Sequence, residues 1–174
     1  NVKITASVSA NDVIIDCIES LDPKDIARIK IEKGLGNKFV CFWNSRNARR
    51  KQSGTLIWWF KEFLDRVGHD KACLIMHTDV KDVHGQDLEA IVHELGLVNG
   101  EVMFSQQKVN NTDLALMYNM ADVTACISDA EGFGLSTLES LSCGTPIIVT
   151  MTGGLQDQVT DGENWYGIGL EPAS

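Results

Sequence analysis

Five short runs of β-branched and aromatic residues recur along the chain, at 39–43 (FVCFW), 73–77 (CLIMH), 101–104 (EVMF), 123–127 (VTACI) and 146–150 (PIIVT). Their apolar character is continuous rather than alternating, so each reads as a strand buried on both faces, the condition of a parallel sheet sandwiched between helices. Helical spacing fills the gaps. Leu56, Phe60, Phe63, Leu64 and Val67 form a first apolar face stopped by Gly68, and Leu88, Ile91, Val92 and Leu95 a second stopped by Gly96. Thr112 is read as the cap of a third helix carrying Leu114, Met117, Tyr118 and Ala121; Leu135, Leu138 and Leu141 mark a fourth, ended by Gly144 and Pro146. Five strands alternating with four helices predict an α/β fold: an open, doubly wound parallel sheet with its site at the strand carboxyl ends.

Residues 1–38 stand outside this alternation and are read as a lead-in or interdomain connector, ahead of a sheet domain over 39–174. Within the lead-in, Pro23 to Lys33 reads as one charged helix closed by Gly34-Leu35-Gly36. The end, WYGIGLEPAS, holds a sixth strand without a closing helix, and the chain is expected to be cut from a longer one. With 15 Lys and Arg against 24 Asp and Glu, the net charge of −9 disfavours nucleic acid and anionic bilayers as partners. No apolar stretch approaches the ~20 residues of a membrane span, and the first residues lack the order of a signal peptide. Five cysteines (Cys17, Cys41, Cys73, Cys126, Cys143) are an odd number without a CxxC pair, which fits neither a disulfide framework nor a zinc knuckle. The expectation is a reducing, cytoplasmic setting, with Cys41, Cys73 and Cys126 as small core residues. The formal sequon Asn110-Asn111-Thr112 reads as a turn and helix cap.

The segment EGFGLSTLESLSCGTPIIVT, residues 131–150, carries the chemistry. Gly132 and Gly134 lie between a strand and a helix whose first turn offers unpaired N–H groups, a junction suited to phosphate; a two-glycine turn is equally explained by backbone geometry. It is not the dinucleotide fingerprint, because Thr137 stands where the third glycine would be. Glu131 and Glu139 bracket the turn. Carboxylates there either answer the helix dipole or accept hydroxyl donors from a ribose. After the first strand, Arg46, Arg49, Arg50 and Lys51 place four cations within six residues. Cations ahead of a helix oppose its dipole, so an anionic ligand is the sharper reading and a solvated turn the plainer one. The sheet order would bring this cluster to face the Gly-rich turn.

R-x4-K from Arg46 to Lys51, E-x7-E from Glu131 to Glu139, and CGTPIIVTMTGGLQDQVTDG after them resemble the donor-binding half of retaining glycosyltransferases of the GT-B fold, the group 1 family, over residues 24–174. The resemblance implies a Rossmann-like domain, the C-terminal half of a two-domain hexosyltransferase. Arg46 and Lys51 would grip the diphosphate of a UDP- or GDP-linked sugar, and the backbone of Leu135 and Ser136 would complete that clamp. Glu139 would take the ribose hydroxyls, and Glu131 with Gly132-Phe133-Gly134 would line the transferred sugar. The base would rest near Val109. No metal or further cofactor is implied, and the partner is the family's N-terminal acceptor-binding domain, which has no counterpart here; alone, the chain is expected to be inactive in transfer. An alternative is a nucleotide or phosphosugar binding module without transferase activity.

Four positions depart from the family pattern. Ser45 and Gln52 replace glycines, Ile127 replaces a proline, and Asp157 stands where Glu is common. His69, His77, His84 and His93 show no metal-ligand spacing. Asp129-Ala130-Glu131 has the outline of a metal-holding D-x-D, but Glu131 is better used by E-x7-E. Of the consecutive Trp58 and Trp59, only one is expected to face the core, leaving the other for a missing half.

Overall fold

The computed structural model describes residues 21–172, so Cys17 and most of the lead-in lie outside the described residues. Six parallel strands, β1 (Phe39–Asn44), β2 (Ala72–His77), β3 (Val102–Ser105), β4 (Val123–Cys126), β5 (Ile147–Thr150) and β6 (Gly167–Leu170), lie in the order β3-β2-β1-β4-β5-β6. Helices α1 (Pro23–Glu32), α2 (Ser53–Val67), α3 (Leu88–Glu94), α4 (Asn111–Met120), α5 (Leu135–Ser142) and α6 (Leu155–Val159) flank the sheet. The chain moves outward from β1 to β3, then returns to β4 on the other side of β1. That reversal opens a crevice above β1 and β4, the place where ligands bind in doubly wound sheets.

Period-two alternation sends the strand side chains to two cores. Cys41, Trp43, Leu74 and Met76 meet Leu56, Ile57, Phe60 and Leu64 of α2. On the opposite face Val40, Phe42, Cys73 and Ile75 meet Tyr118 and Met120 of α4, with Ile26 and Ile29 of α1 against the same cluster. Full burial of an aliphatic side chain contributes about 1.5–3 kcal/mol, so α2 is held by its stripe rather than by propensity. Cys41, Cys73, Cys126 and Cys143 are buried, and burial pushes the Cys41 and Cys73 thiols up to about 12 and about 11.

The strands and the charged helix of the lead-in fall where the sequence places them, with three local differences. The cap of α4 is Asn110, whose Oδ1 accepts from the Asp113 N–H at 2.8 Å; Thr112 sits inside the first turn. The five-residue α6, between β5 and β6, carries too short a pattern to be read from sequence. Trp58 and Trp59 are both about half exposed, at 53% and 47%. Beyond β1, the α2 face of the sheet is covered by no helix among the described residues, and Trp59 instead borders an apolar cavity of about 380 Å³ floored by Ala125, Ile148 and Leu170.

At the amino end of the sheet His69 bridges Asp65 of α2 at 2.9 Å and the buried Glu101 at 3.2 Å. The hydrogen bond to Asp65, then that to Glu101, raises the imidazole pKa. A histidine raised on folding stabilises fully below its unfolded value of about 6.5, and that contribution fades as pH rises through the folded value. His69→Gln is therefore expected to lower the urea midpoint more at about pH 6 than at about pH 8.5. A deficit that widens with pH would contradict the bridge.

Candidate functional site

A cavity of about 360 Å³ opens above the carboxyl ends of β1 and β4, at the reversal in strand order. Eight of the ten residues singled out from the sequence line it: Lys51, Glu131 and Glu139 supply charge, Gly132, Phe133 and Gly134 form the rim, and Leu135 and Ser136 open α5. Asn44 and Ser45 complete the wall. Two residues are placed elsewhere. Arg46 is largely exposed and forks onto Asp82, with Nε to Oδ2 at 2.6 Å and a second bond to Oδ1 at 3.1 Å. That guanidinium, with the His84 N–H, holds the Asp82 carboxyl down to about 2. Val109 borders a separate groove near Leu116 and Met117, on the side of the β3 edge.

Lys51 ends a 3-10 turn (Arg49–Lys51) and is buried, its ammonium paired with Oε2 of Glu131. Arg50 approaches the same oxygen at 3.5 Å and donates to the Ala130 carbonyl at 2.7 Å. The cation cluster and the Gly-rich turn thus meet through Lys51 and Arg50. Asp129 is engaged separately, both its oxygens accepting from the Gln52 amide at 2.9 and 2.8 Å, so Asp129 and Glu131 serve different partners. Among the described residues no group of three or more His, Cys, Asp or Glu side chains is placed to hold a metal ion.

Gln52 has φ +56°, the one non-glycine positive φ among the described residues. Left-handed backbone at a side-chain-bearing residue costs about 1 kcal/mol, which explains why glycine suits this position and why Gln52 is tied to Asp129. The N-terminus of α5 has no side-chain cap, and its N-cap is Gly134 at φ +82°. Its first-turn N–H groups therefore remain available to an anion.

The turn itself is fixed from behind. The Gly154 N–H donates to the Gly132 carbonyl at 2.9 Å, and the Gln158 amide donates to the Phe133 and Gly134 carbonyls at 2.5 and 3.1 Å. Gly153 has φ +50°, and a Cβ there would overlap the Glu131 carbonyl oxygen. Glu139, half-buried, accepts from the hydroxyl of Tyr118 at 2.7 Å, and burial pushes its carboxyl pKa up against that bond. Sequence reasoning missed Tyr118, Asp82 and Gln158; only the i, i+4 spacing of Leu114 and Tyr118 hinted that Tyr118 faces inward.

Known proteins resemble the chain in sequence and in fold. The sequence profile of the family described as "Glycosyl transferases group 1" matches residues 25–172. D-inositol 3-phosphate glycosyltransferases are similar: that of Thermomonospora curvata is 37% identical over 89 residues, 51% of this chain and 20% of that protein. That of Mycobacterium tuberculosis is 39% identical over 75 residues, 43% of this chain and 15% of that protein. Among solved structures, the Anabaena protein HepE in complex with UDP-glucose superposes with a TM-score of 0.73 at 23% identity, over 94% of this chain and 44% of that one. Sucrose-phosphate synthase from Thermosynechococcus elongatus gives 0.70 at 26% identity, over 89% of this chain and 37% of that one. The chain thus spans less than half of each of these relatives. With the family profile covering both the Lys51 turn and the two glutamates of the cavity, the chain belongs to the group 1 glycosyl transferases.

Proposed function

We propose that this domain binds the nucleotide diphosphate sugar donor of a retaining hexosyltransferase. The observation that carries the reading is the convergence of an uncapped helix end and a buried lysine on one cavity that also holds two carboxylates. The N–H groups of Leu135 and Ser136 would receive the diphosphate beside Lys51, whose three donors suffice for Glu131 and a phosphoryl oxygen together. Arg46 would leave Asp82 to join that grip. Glu139 would accept the ribose hydroxyls, and Glu131 would lie on the sugar side. HepE, with the same fold, is described in complex with UDP-glucose, which favours UDP as the first donor to test, and GDP as the second.

No protein nucleophile enters this reading. The leaving diphosphate takes the acceptor proton on the face of the sugar it departs from, so configuration is retained. The chain's part is positioning and charge stabilisation, and an N-terminal acceptor-binding domain holds the second substrate. In this reading Lys51, Arg46 and the helix end stand in for a metal at the diphosphate.

Calorimetric titration of UDP and GDP, each with and without a chelator, tests the proposal; binding that requires a divalent cation would contradict it. In the same assay Glu139→Ala is expected to weaken UDP by about 10- to 100-fold, the loss of one charge-assisted acceptor, and to leave 2′,3′-dideoxy-UDP unaffected. Equal losses for the two nucleotides would return Glu139 to the helix-dipole role.

A further inference from the structure

Glu139 reaches the cavity with one of its two oxygens already engaged. Tyr118, 1% exposed, donates its hydroxyl to Oε2, and the Asn44 amide in turn donates to the Tyr118 oxygen at 2.9 Å. Asn44 and Glu139 both line the cavity, whereas Tyr118 lies behind it. Its ring is pinned edge-on to Phe42, centroids 5.0 Å apart at 81°, and the Thr145 hydroxyl donates to its backbone carbonyl at 2.7 Å. Among the described residues no hydrogen bond reaches Oε1.

We propose that Tyr118 is a positioning residue for donor recognition: by occupying Oε2 it turns the Glu139 carboxylate so that Oε1 meets the ribose, and through Asn44 it ties that orientation to the end of β1. The proposal rests on the reading of Glu139 as the ribose acceptor. The physical content is preorganisation. A carboxylate already held in one orientation loses less freedom when the hydroxyl arrives, and a buried side chain with a fixed partner does not swing away in the empty site. Burial raises the Tyr118 phenol far above its usual range, so it remains a donor wherever the chain is folded.

Tyr118→Phe keeps the ring and its contact with Phe42 while deleting the donor. UDP affinity is expected to fall about 3- to 10-fold, one net hydrogen bond, with 2′,3′-dideoxy-UDP unchanged. Loss of the bond also lets burial act unopposed on the Glu139 carboxyl, so UDP affinity should drop on acidification at a higher pH than in the wild type. Lys51 and Glu131, the other charged groups facing the cavity, are the same in both proteins. Equal weakening of the two nucleotides, or none, would overturn the proposal. If Glu139→Ala itself fails to separate UDP from dideoxy-UDP, the ribose reading falls; if it does separate them and Tyr118→Phe does not, only Tyr118's role falls.

Should Tyr118→Phe unfold, 3-fluorotyrosine incorporated in a Tyr166→Phe background labels Tyr118 alone, since the chain has two tyrosines. The more acidic phenol is a stronger donor, and the acid limb of UDP binding should move to lower pH. An unmoved limb would overturn the proposal.

Discussion

Lys51→Ala is expected to abolish measurable diphosphate binding and to cost about 3 kcal/mol of stability. Two effects add. The ammonium is the buried cation of the cavity, and removing a charge-assisted donor from a diphosphate weakens it by about 10- to 100-fold before other losses. The Glu131 carboxylate, 14% exposed, is then left with Arg50 at 3.5 Å as its nearest cation. Leaving one member of a buried pair uncompensated costs about 3–5 kcal/mol, and Arg50 places this case at the low end. Lys51→Met with Glu131→Gln separates the two effects, because neither residue is then charged. Urea melts of the double variant should return toward wild type while UDP titration stays flat. If UDP binds the double variant normally, the diphosphate does not depend on Lys51.

Gly153→Ala is expected to cost about 3 kcal/mol or more and to carry donor binding down with it. The left-handed backbone alone accounts for about 1 kcal/mol. The larger part is overlap with the Glu131 carbonyl oxygen, which yields only if the rim of the cavity shifts. Gly162→Ala is the control, since Gly162 has φ +94° with nothing within 4 Å of its added Cβ. Thermal melts should show Gly162→Ala losing only the conformational part. Comparable losses at the two positions would mean the turn is not wedged against the β5–α6 loop.

The parts of this molecule that follow from local pattern were legible in the sequence. Apolar runs gave the strands because each is buried on both faces, and the charged run from Pro23 gave α1, whose N-cap the structure assigns to Asp22. Lys51 and Glu131 could be brought together across 80 residues because strand order follows from handed crossovers. What stayed hidden depends on side-chain aim. Asp82 captures Arg46 from a loop with no periodicity to reveal it. Val109, placed near the nucleotide base by resemblance, lies in the loop after β3, three strands from β4, roughly 14 Å at the usual spacing, where it borders its own groove. Of the tryptophan pair of α2, one was expected to face the core, yet both stand about half exposed. The cavity beside Trp59 shows that one flank of that helix meets open sheet instead.

The turn from Glu131 to Gly134 is held through its carbonyl oxygens, by a main-chain N–H and a glutamine amide, while the side chains of Phe133 and Leu135 stand 53% and 42% exposed. The shape of the turn and the surface it presents are therefore written in different residues. Substitutions at Phe133 or Leu135 can accumulate without touching the bonds that shape the turn, so descendants of this chain are free to vary what the rim presents to the cavity, whereas Gly153 admits no such drift.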